Sequence, residues 1–288
     1  MVSLHDRLVK AIADTRGDFA WVVEDPETGD RSTNQPHMPF PGASTLKLAI
    51  FVRLLELAEI GAIRLDAKLK LRDWHRCGGA GVLQYMARGT ELRIDDLATL
   101  MIVLSDNTAT NVLLDITGCA PATATIGDGH SAIRRYYGKP TMPLPDGRPF
   151  TAIATAEGLA SIYRRALTGS LLTERTRNQF WRTLERQQDR ALMPRFLHDS
   201  VRVAHKTGAI DGVRHDAGVF WVPTVTSAEH DPMALRGTDR PNGKPIIFVV
   251  LSRELEDRSW SVENAGEVGI GRLARAAFDW FSDRHCPQ

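Results

Sequence analysis

The apolar pattern changes character along the chain. An amphipathic stretch predicts a short helix over Leu4 to Ala13, and the β-rich run Phe19-Ala20-Trp21-Val22-Val23 predicts a strand. A turn at Pro26 to Asp30 and a return strand toward Gln35 complete a hairpin. From Ser44 a strongly apolar helix is expected to about Glu59, with Gly61 as its stop. The stretch from Ile63 to Leu167 reads as helix-rich, with segments near Ile94 to Ser105, Thr110 to Ile116 and Ala156 to Leu167, and a further helical segment runs from Glu174 to Glu185. After Ser200 the period shortens: Val201 to His205 alternates, and Asp216 to Val222 and Ile246 to Leu251 are β-rich. The chain closes on a long amphipathic helix, Ala265 to Phe281.

Strands at both ends with helices between them imply an α+β layout. Segments 1–45 and 195–288 form one discontinuous α/β part, 46–194 a helical part, within one structural domain. The last strand is expected beside the first in a mainly antiparallel sheet, and a cleft is expected where the two parts meet.

Composition narrows the partners. With 288 residues, a hydrophobic fraction of 43%, a charged fraction of 25% and a net charge of +1, the chain has the make-up of a globular protein and no nucleic-acid footprint. No stretch approaches the roughly 20 apolar residues that span a bilayer, and no leader pattern precedes Asp25. The expectation is a cytoplasmic, monomeric protein acting on a small molecule, with no nucleic-acid or membrane partner. Cys77, Cys119 and Cys286 are odd in number and lack metal-ligand spacing, so reduced thiols, no metal and no cofactor are expected. Cys77, beside Gly78-Gly79, is the one candidate for a reactive thiol.

Three short motifs suggest chemistry. Ser44-Thr45-Leu46-Lys47 starts the apolar helix. Serine at a helix start also serves as an N-cap, but residues three apart share a helix face, so the Lys47 amine can reach the Ser44 hydroxyl. Burial on an apolar helix lowers a lysine pKa toward that of a usable base. Ser105-Asp106-Asn107 lies between two helices, where these residue types also occur as a plain connection. As chemistry, Ser105 relays a proton between Lys47 and the leaving group, Asn107 donates to substrate and helps hold Lys47, and Asp106 caps the next helix. Lys206-Thr207-Gly208 ends a strand. Lys206 and Thr207 bind a substrate anion, Gly208 permits close backbone approach, and Ala209 offers an N–H beside that of Ser44 as an oxyanion hole. Arg214 is a candidate reinforcement of the anion site, or simply a hairpin arginine.

The runs Phe40-Pro41-Gly42-Ala43-Ser44-Thr45-Leu46-Lys47-Leu48, Ser105-Asp106-Asn107-Thr108-Ala109-Thr110-Asn111 and His205-Lys206-Thr207-Gly208-Ala209 resemble the class A β-lactamase and DD-peptidase superfamily over nearly the full length. The resemblance implies a five-stranded antiparallel sheet flanked by terminal helices beside an all-helical subdomain. It also implies an acyl-enzyme on Ser44. One departure matters. Class A enzymes carry a Glu-x-x-Leu-Asn motif whose glutamate activates the deacylating water, and here no glutamate occurs between Glu91 and Glu157. Lys139 falls near the expected place, and Asp146 is the only acid between Arg134 and Phe150.

The leading expectation is therefore a serine hydrolase acting on an ester, amide or β-lactam of a small anionic molecule, with weak penicillin turnover. The alternatives are a β-lactamase that deacylates without glutamate, a glutaminase-like amidase, and a penicillin-binding sensor that acylates without turnover.

Overall fold

The first and last strands of the chain lie side by side, and that pairing joins the two ends of the sequence into one sheet. The computed structural model describes residues 2–133, 137–138, 152–223 and 243–285. In chain order, α1 (Leu4–Ala11) is followed by β1 (Asp18–Glu24), β2 (Arg31–Asn34) and β3 (Phe40–Pro41). One 3₁₀ turn, Ala43–Leu46, leads into α2 (Lys47–Glu59). Next come β4 (Lys68–Lys70), β5 (Glu91–Arg93), α3 (Ile94–Val103), α4 (Asn107–Thr117) and α5 (Cys119–Ala124). After β6 (Ala132–Ile133) and β7 (Ala152–Ala154) run α6 (Ala156–Thr168) and α7 (Glu174–Leu184). The chain ends with β8 (Val203–Ile210), β9 (Val213–Pro223), β10 (Gly243–Arg253) and α8 (Ala265–His285).

The main sheet has five antiparallel strands in the order β2-β1-β10-β9-β8. Alternation along each strand divides two cores. Ala20, Val22, Ala204, Ala217 and Val219 face the helical side, packing with residues of α2, α3, α4 and α6. Phe19, Trp21, Val23, Phe220 and Phe248 face the other side, against Leu4 and Leu8 of α1 and Ile270, Leu273 and Phe281 of α8. Helix α2 lies deep in the first core: Leu48, Ala49, Ile50, Phe51, Val52, Leu54 and Leu55 are all fully buried. An apolar surface on every side is what a central helix needs. Truncating Phe51 to alanine there would cost about 3–5 kcal/mol. Lys47 at the start of α2, and the short turn with Ser44 just before it, thus adjoin a rigid element.

The elements differ from the sequence reading mainly at their ends. Lys206-Thr207-Gly208 does not end a strand: β8 continues through it to Ile210, paired residue by residue with β9, which begins at Val213 rather than Asp216. Polar residues at this edge read as a boundary, yet ladder pairing carries the strand past them. Helix α4 starts at Asn107, because Asp106 caps it, instead of at Thr110. The short strands β3, β4, β5, β6 and β7 were not expected; each is only two or three residues long, too short for a period to show.

Candidate active site

The nucleophile turn is tied down before Ser44 is reached. Phe40 and Pro41 pair with Ala154 and Ile153, the Gly42 N–H donates to Ala152 O at 2.8 Å, and His215 Nε2 contacts Pro41 O. Ser252 N approaches His215 Nδ1 at 3.0 Å, and the same nitrogen lies 2.8 Å from Arg214 O, so both ring nitrogens are engaged. Burial depresses the His215 pKa to about 4, which keeps it neutral. Ala43 then adopts φ +44°, an unusual conformation for a residue with a side chain, and the half-buried Ser44 follows it in the 3₁₀ turn. Ser44 therefore lies one short turn before α2, which begins at Lys47.

Lys47 is fully buried, and its Nζ reaches Ser105 O at 2.6 Å, Asn107 Oδ1 at 2.7 Å and Ser105 Oγ at 3.1 Å. These acceptors are a carbonyl, an amide oxygen and a hydroxyl; none is a carboxylate. Burial, followed by the charge of Lys206, pushes the Lys47 pKa well below the usual lysine value, while Asp106 and Cys77 oppose the shift. Ser105 reaches Lys47 because it adopts φ +55° in the turn between α3 and α4, which points its carbonyl and hydroxyl at the same amine. Asp106, also fully buried, accepts from Ala109 N at 2.8 Å as the α4 cap. Its other oxygen accepts from Val82 N at 2.6 Å and Leu83 N at 2.9 Å, so one side chain fixes both the helix and the loop that crosses the site. Asn107 donates to Gly78 O at 2.9 Å in that loop.

Lys206 comes from β8. Its parity matches Ala204, so it points to the helical side, where Nζ donates to Ser105 Oγ at 3.1 Å and Thr207 O at 2.7 Å. Burial lowers its pKa to about 8. Trp221 N donates to Arg202 O at 3.1 Å, which sets the phase of the β8–β9 ladder: Ala204, Lys206 and Gly208 bond inward. The N–H and C=O groups of Thr207 and Ala209 therefore point off the free edge of β8. That edge lies against the nucleophile turn. A Cβ built on Gly208 would stand 3.1 Å from Ser44 N and 3.1 Å from Thr45 N, so a side chain there would press on the nucleophile turn.

The structure corrects the expectation for Arg214. It pairs with Ala209 and has the parity of the terminal-helix face, one residue out of phase with His215, which faces Pro41. Its fully buried guanidinium donates from Nε to Glu267 Oε1 at 2.9 Å and from Nη1 to Ile210 O at 3.0 Å and Val213 O at 2.8 Å. Nη2 donates to Ser259 O at 2.7 Å, and the group lies 4.3 Å from the centre of the Trp260 ring. Four of the five N–H bonds are thus taken up in anchoring the hairpin to α8. Lys139 and Asp146 lie outside the described residues.

Sequence reasoning missed Tyr137 and Asn111. The Tyr137 ring lies 4.8 Å from Lys47 Nζ, and its hydroxyl donates to Ala43 O at 3.0 Å. Asn111, fully buried one helical turn after Asn107, accepts from Tyr137 N at 2.8 Å and donates to Tyr137 O at 3.1 Å. The four-residue spacing of the two asparagines on α4 was the available signal. Cys77 is buried and, like Cys119, forms no disulfide. Among the described residues no cluster of three or more His, Cys, Asp or Glu could hold a metal, and no helix is long and apolar enough to cross a membrane.

The sequence profile of the β-lactamase enzyme family matches residues 3–228. The chain belongs to this family. Its members' chemistry makes it a hydrolase, and the substrates of its β-lactamase relatives are small molecules. β-Lactamase L2 of Stenotrophomonas maltophilia is 29% identical over 214 residues, covering 72% of this chain and 69% of that protein. The crystal structure of a β-lactamase from Sphaerobacter thermophilus superposes with a TM-score of 0.79 at 25% identity, covering 96% of each chain. The structure of PBP-A gives a TM-score of 0.78 at 24% identity, covering 97% of this chain and 96% of its own, and bears on the fold alone. The five-stranded antiparallel sheet with helices is thus the arrangement of the β-lactamases.

Proposed function

We propose that this member of the β-lactamase family is a serine hydrolase that forms an acyl-enzyme through Ser44. Its substrate is an ester, amide or β-lactam of a small anionic molecule, and it clears penicillin adducts slowly. The carrying observation is the shared hydroxyl: Ser105 Oγ stands 3.1 Å from Lys47 Nζ and 3.1 Å from Lys206 Nζ. Two ammonium groups on one oxygen repel, so one of them gives up its proton easily. Lys47, whose pKa burial and the charge of Lys206 push well down and which stands three residues after Ser44, becomes the amine that removes the proton from Ser44 as the oxygen attacks the carbonyl. The N–H groups of Ser44 and Ala209 receive the oxyanion. Ser105 passes the proton from Lys47 to the leaving nitrogen or oxygen as its bond to the carbonyl breaks; an ester alcohol or an amide amine then departs, whereas the nitrogen of a β-lactam stays tethered to the acyl group. Lys206 and Thr207 hold the substrate anion at the free edge of β8, and Asn107 keeps Lys47 aligned.

Deacylation is the slow half. Among the described residues no carboxylate accepts from Lys47, and the aromatic ring of Tyr137 occupies one side of the amine. On this reading Lys47 itself activates the water, which suits small activated esters better than a bulky penicilloyl group. At the limit of no clearance the protein acts as a penicillin sink, and the same observation supports that reading.

The test mixes the protein with a chromogenic cephalosporin, benzylpenicillin and short-chain aryl esters, and follows intact mass. The expected record is a burst with the lactams, an adduct of penicillin mass on the peptide containing Ser44, and steady turnover of esters. Labelling that survives in Ser44→Ala overturns the nucleophile. Rapid steady penicillin hydrolysis with no adduct overturns slow clearance.

A further inference from the structure

The site holds a group that none of the proposed steps uses. Tyr137 is buried, its backbone is gripped twice by Asn111, its ring lies 4.8 Å from Lys47 Nζ, and its hydroxyl donates to Ala43 O at 3.0 Å. Ala43 holds φ +44° immediately before Ser44, so this hydrogen bond fixes the carbonyl of a strained residue in the nucleophile turn. We propose that Tyr137 is a positioning residue with two separable jobs: its ring face stabilises the Lys47 ammonium, and its hydroxyl holds the turn that presents Ser44. This rests on the reading of Ser44 as nucleophile and Lys47 as base.

The physical basis is the quadrupole of the ring. A cation over a desolvated aromatic face is attracted to it, whereas the neutral amine is not. The ring therefore favours the charged form and works against the burial that strips Lys47 of its proton. The other groups acting on this amine are Lys206 from β8, which lowers its proton affinity, and Asp106 and Cys77, which raise it; Ser105 and Asn107 supply neutral acceptors. Tyr137 itself stays a phenol, since burial above all holds its pKa far above the usual tyrosine value. The ring thereby sets the pH at which Lys47 becomes a base.

The two jobs come apart in different variants. Tyr137→Phe keeps the ring and loses the hydroxyl; Tyr137→Leu and Tyr137→Met keep apolar bulk and lose the ring. The readout is the rate of acylation by benzylpenicillin against pH, followed by intact mass, with circular dichroism on each variant. Acylation rises with pH as Lys47 loses its proton. Removing the ring removes support for the ammonium, so in the ringless variants the rising limb should move to lower pH by about one unit. Tyr137→Phe should keep the limb in place and acylate about threefold to tenfold more slowly across the profile, the value of one hydrogen bond. The falling limb set by Lys206 should stay put in all three.

A limb that is unmoved or moves upward in the folded ringless variants overturns the role of the ring. A full-speed Tyr137→Phe overturns that of the hydroxyl. If the parent itself gives no Ser44 adduct, the acyl-enzyme reading has failed; if it does and the profiles coincide, only the role of Tyr137 has.

Discussion

Lys47 and Lys206 meet at one oxygen. Their Nζ atoms come from a helix and from an edge strand, 159 positions apart in numbering terms, and each lies 3.1 Å from Ser105 Oγ. Both amines are fully buried, and among the described residues neither has a carboxylate as a hydrogen-bond acceptor. The arrangement is costly to the fold and useful to the chemistry, and that conflict can be measured.

Lys206 has a folded pKa of about 8, against 10.5 for an ordinary lysine. The unfolded chain binds its proton more tightly, so burial penalises stability at pH values below 8, by about 3 kcal/mol at pH 7. The penalty fades as pH rises from 8 toward 10.5. Lys206→Met should therefore be more stable than the parent near pH 7, with the advantage shrinking through that window, while acylation by anionic substrates is lost. Urea unfolding at several pH values checks the sign; a stability gap independent of pH would contradict it.

Gly208 touches the nucleophile turn through its missing side chain. In Gly208→Ala the new Cβ would meet Ser44 N and Thr45 N at 3.1 Å and must push the turn aside. Acylation should fall about tenfold to a hundredfold, since small misplacements of a nucleophile cost that much, and the unfolding midpoint should change little. Stopped-flow burst rates beside thermal melts separate the two effects.

Asp106 accepts three backbone N–H groups from two segments. Asp106→Ala leaves the loop donors Val82 N and Leu83 N without it and uncaps α4. The expected loss is about 3 kcal/mol of stability, a cap plus a buried acceptor, measurable by denaturant unfolding. A loss within 0.5 kcal/mol, roughly the size of an ordinary surface substitution, would show that water replaces the carboxylate.

Arg214 anchors the β8–β9 hairpin, so Arg214→Ala should lower stability by about 3–5 kcal/mol, because Glu267 loses the partner of a largely buried ion pair. The ratio of rates on an anionic and a neutral ester should stay that of the parent. A selective loss on the anionic ester would restore Arg214 to the anion site.

Local order was legible in the sequence. The apolar run after Ser44, the alternation in β8 and the spacing of Ser44 and Lys47 depend on neighbours within a turn or two, and periodicity reports them directly. The adjacency of β1 and β10 also followed, since strands at both chain ends in one antiparallel sheet leave few connections. What the sequence left undecided was which face each side chain serves and which distant segments meet. Lys47 finds Ser105 across 58 positions, and Ser105 finds Lys206 across 101. Motif resemblance brought these residues together on paper, but only packing set the distances. Arg214 and His215 are neighbours in sequence, and the pleat sends one to α8 and the other to Pro41. Tyr137 carries no motif at all. It reaches Lys47 because Asn111, placed by α4, holds its backbone, and such a contact exists only once the helices have packed.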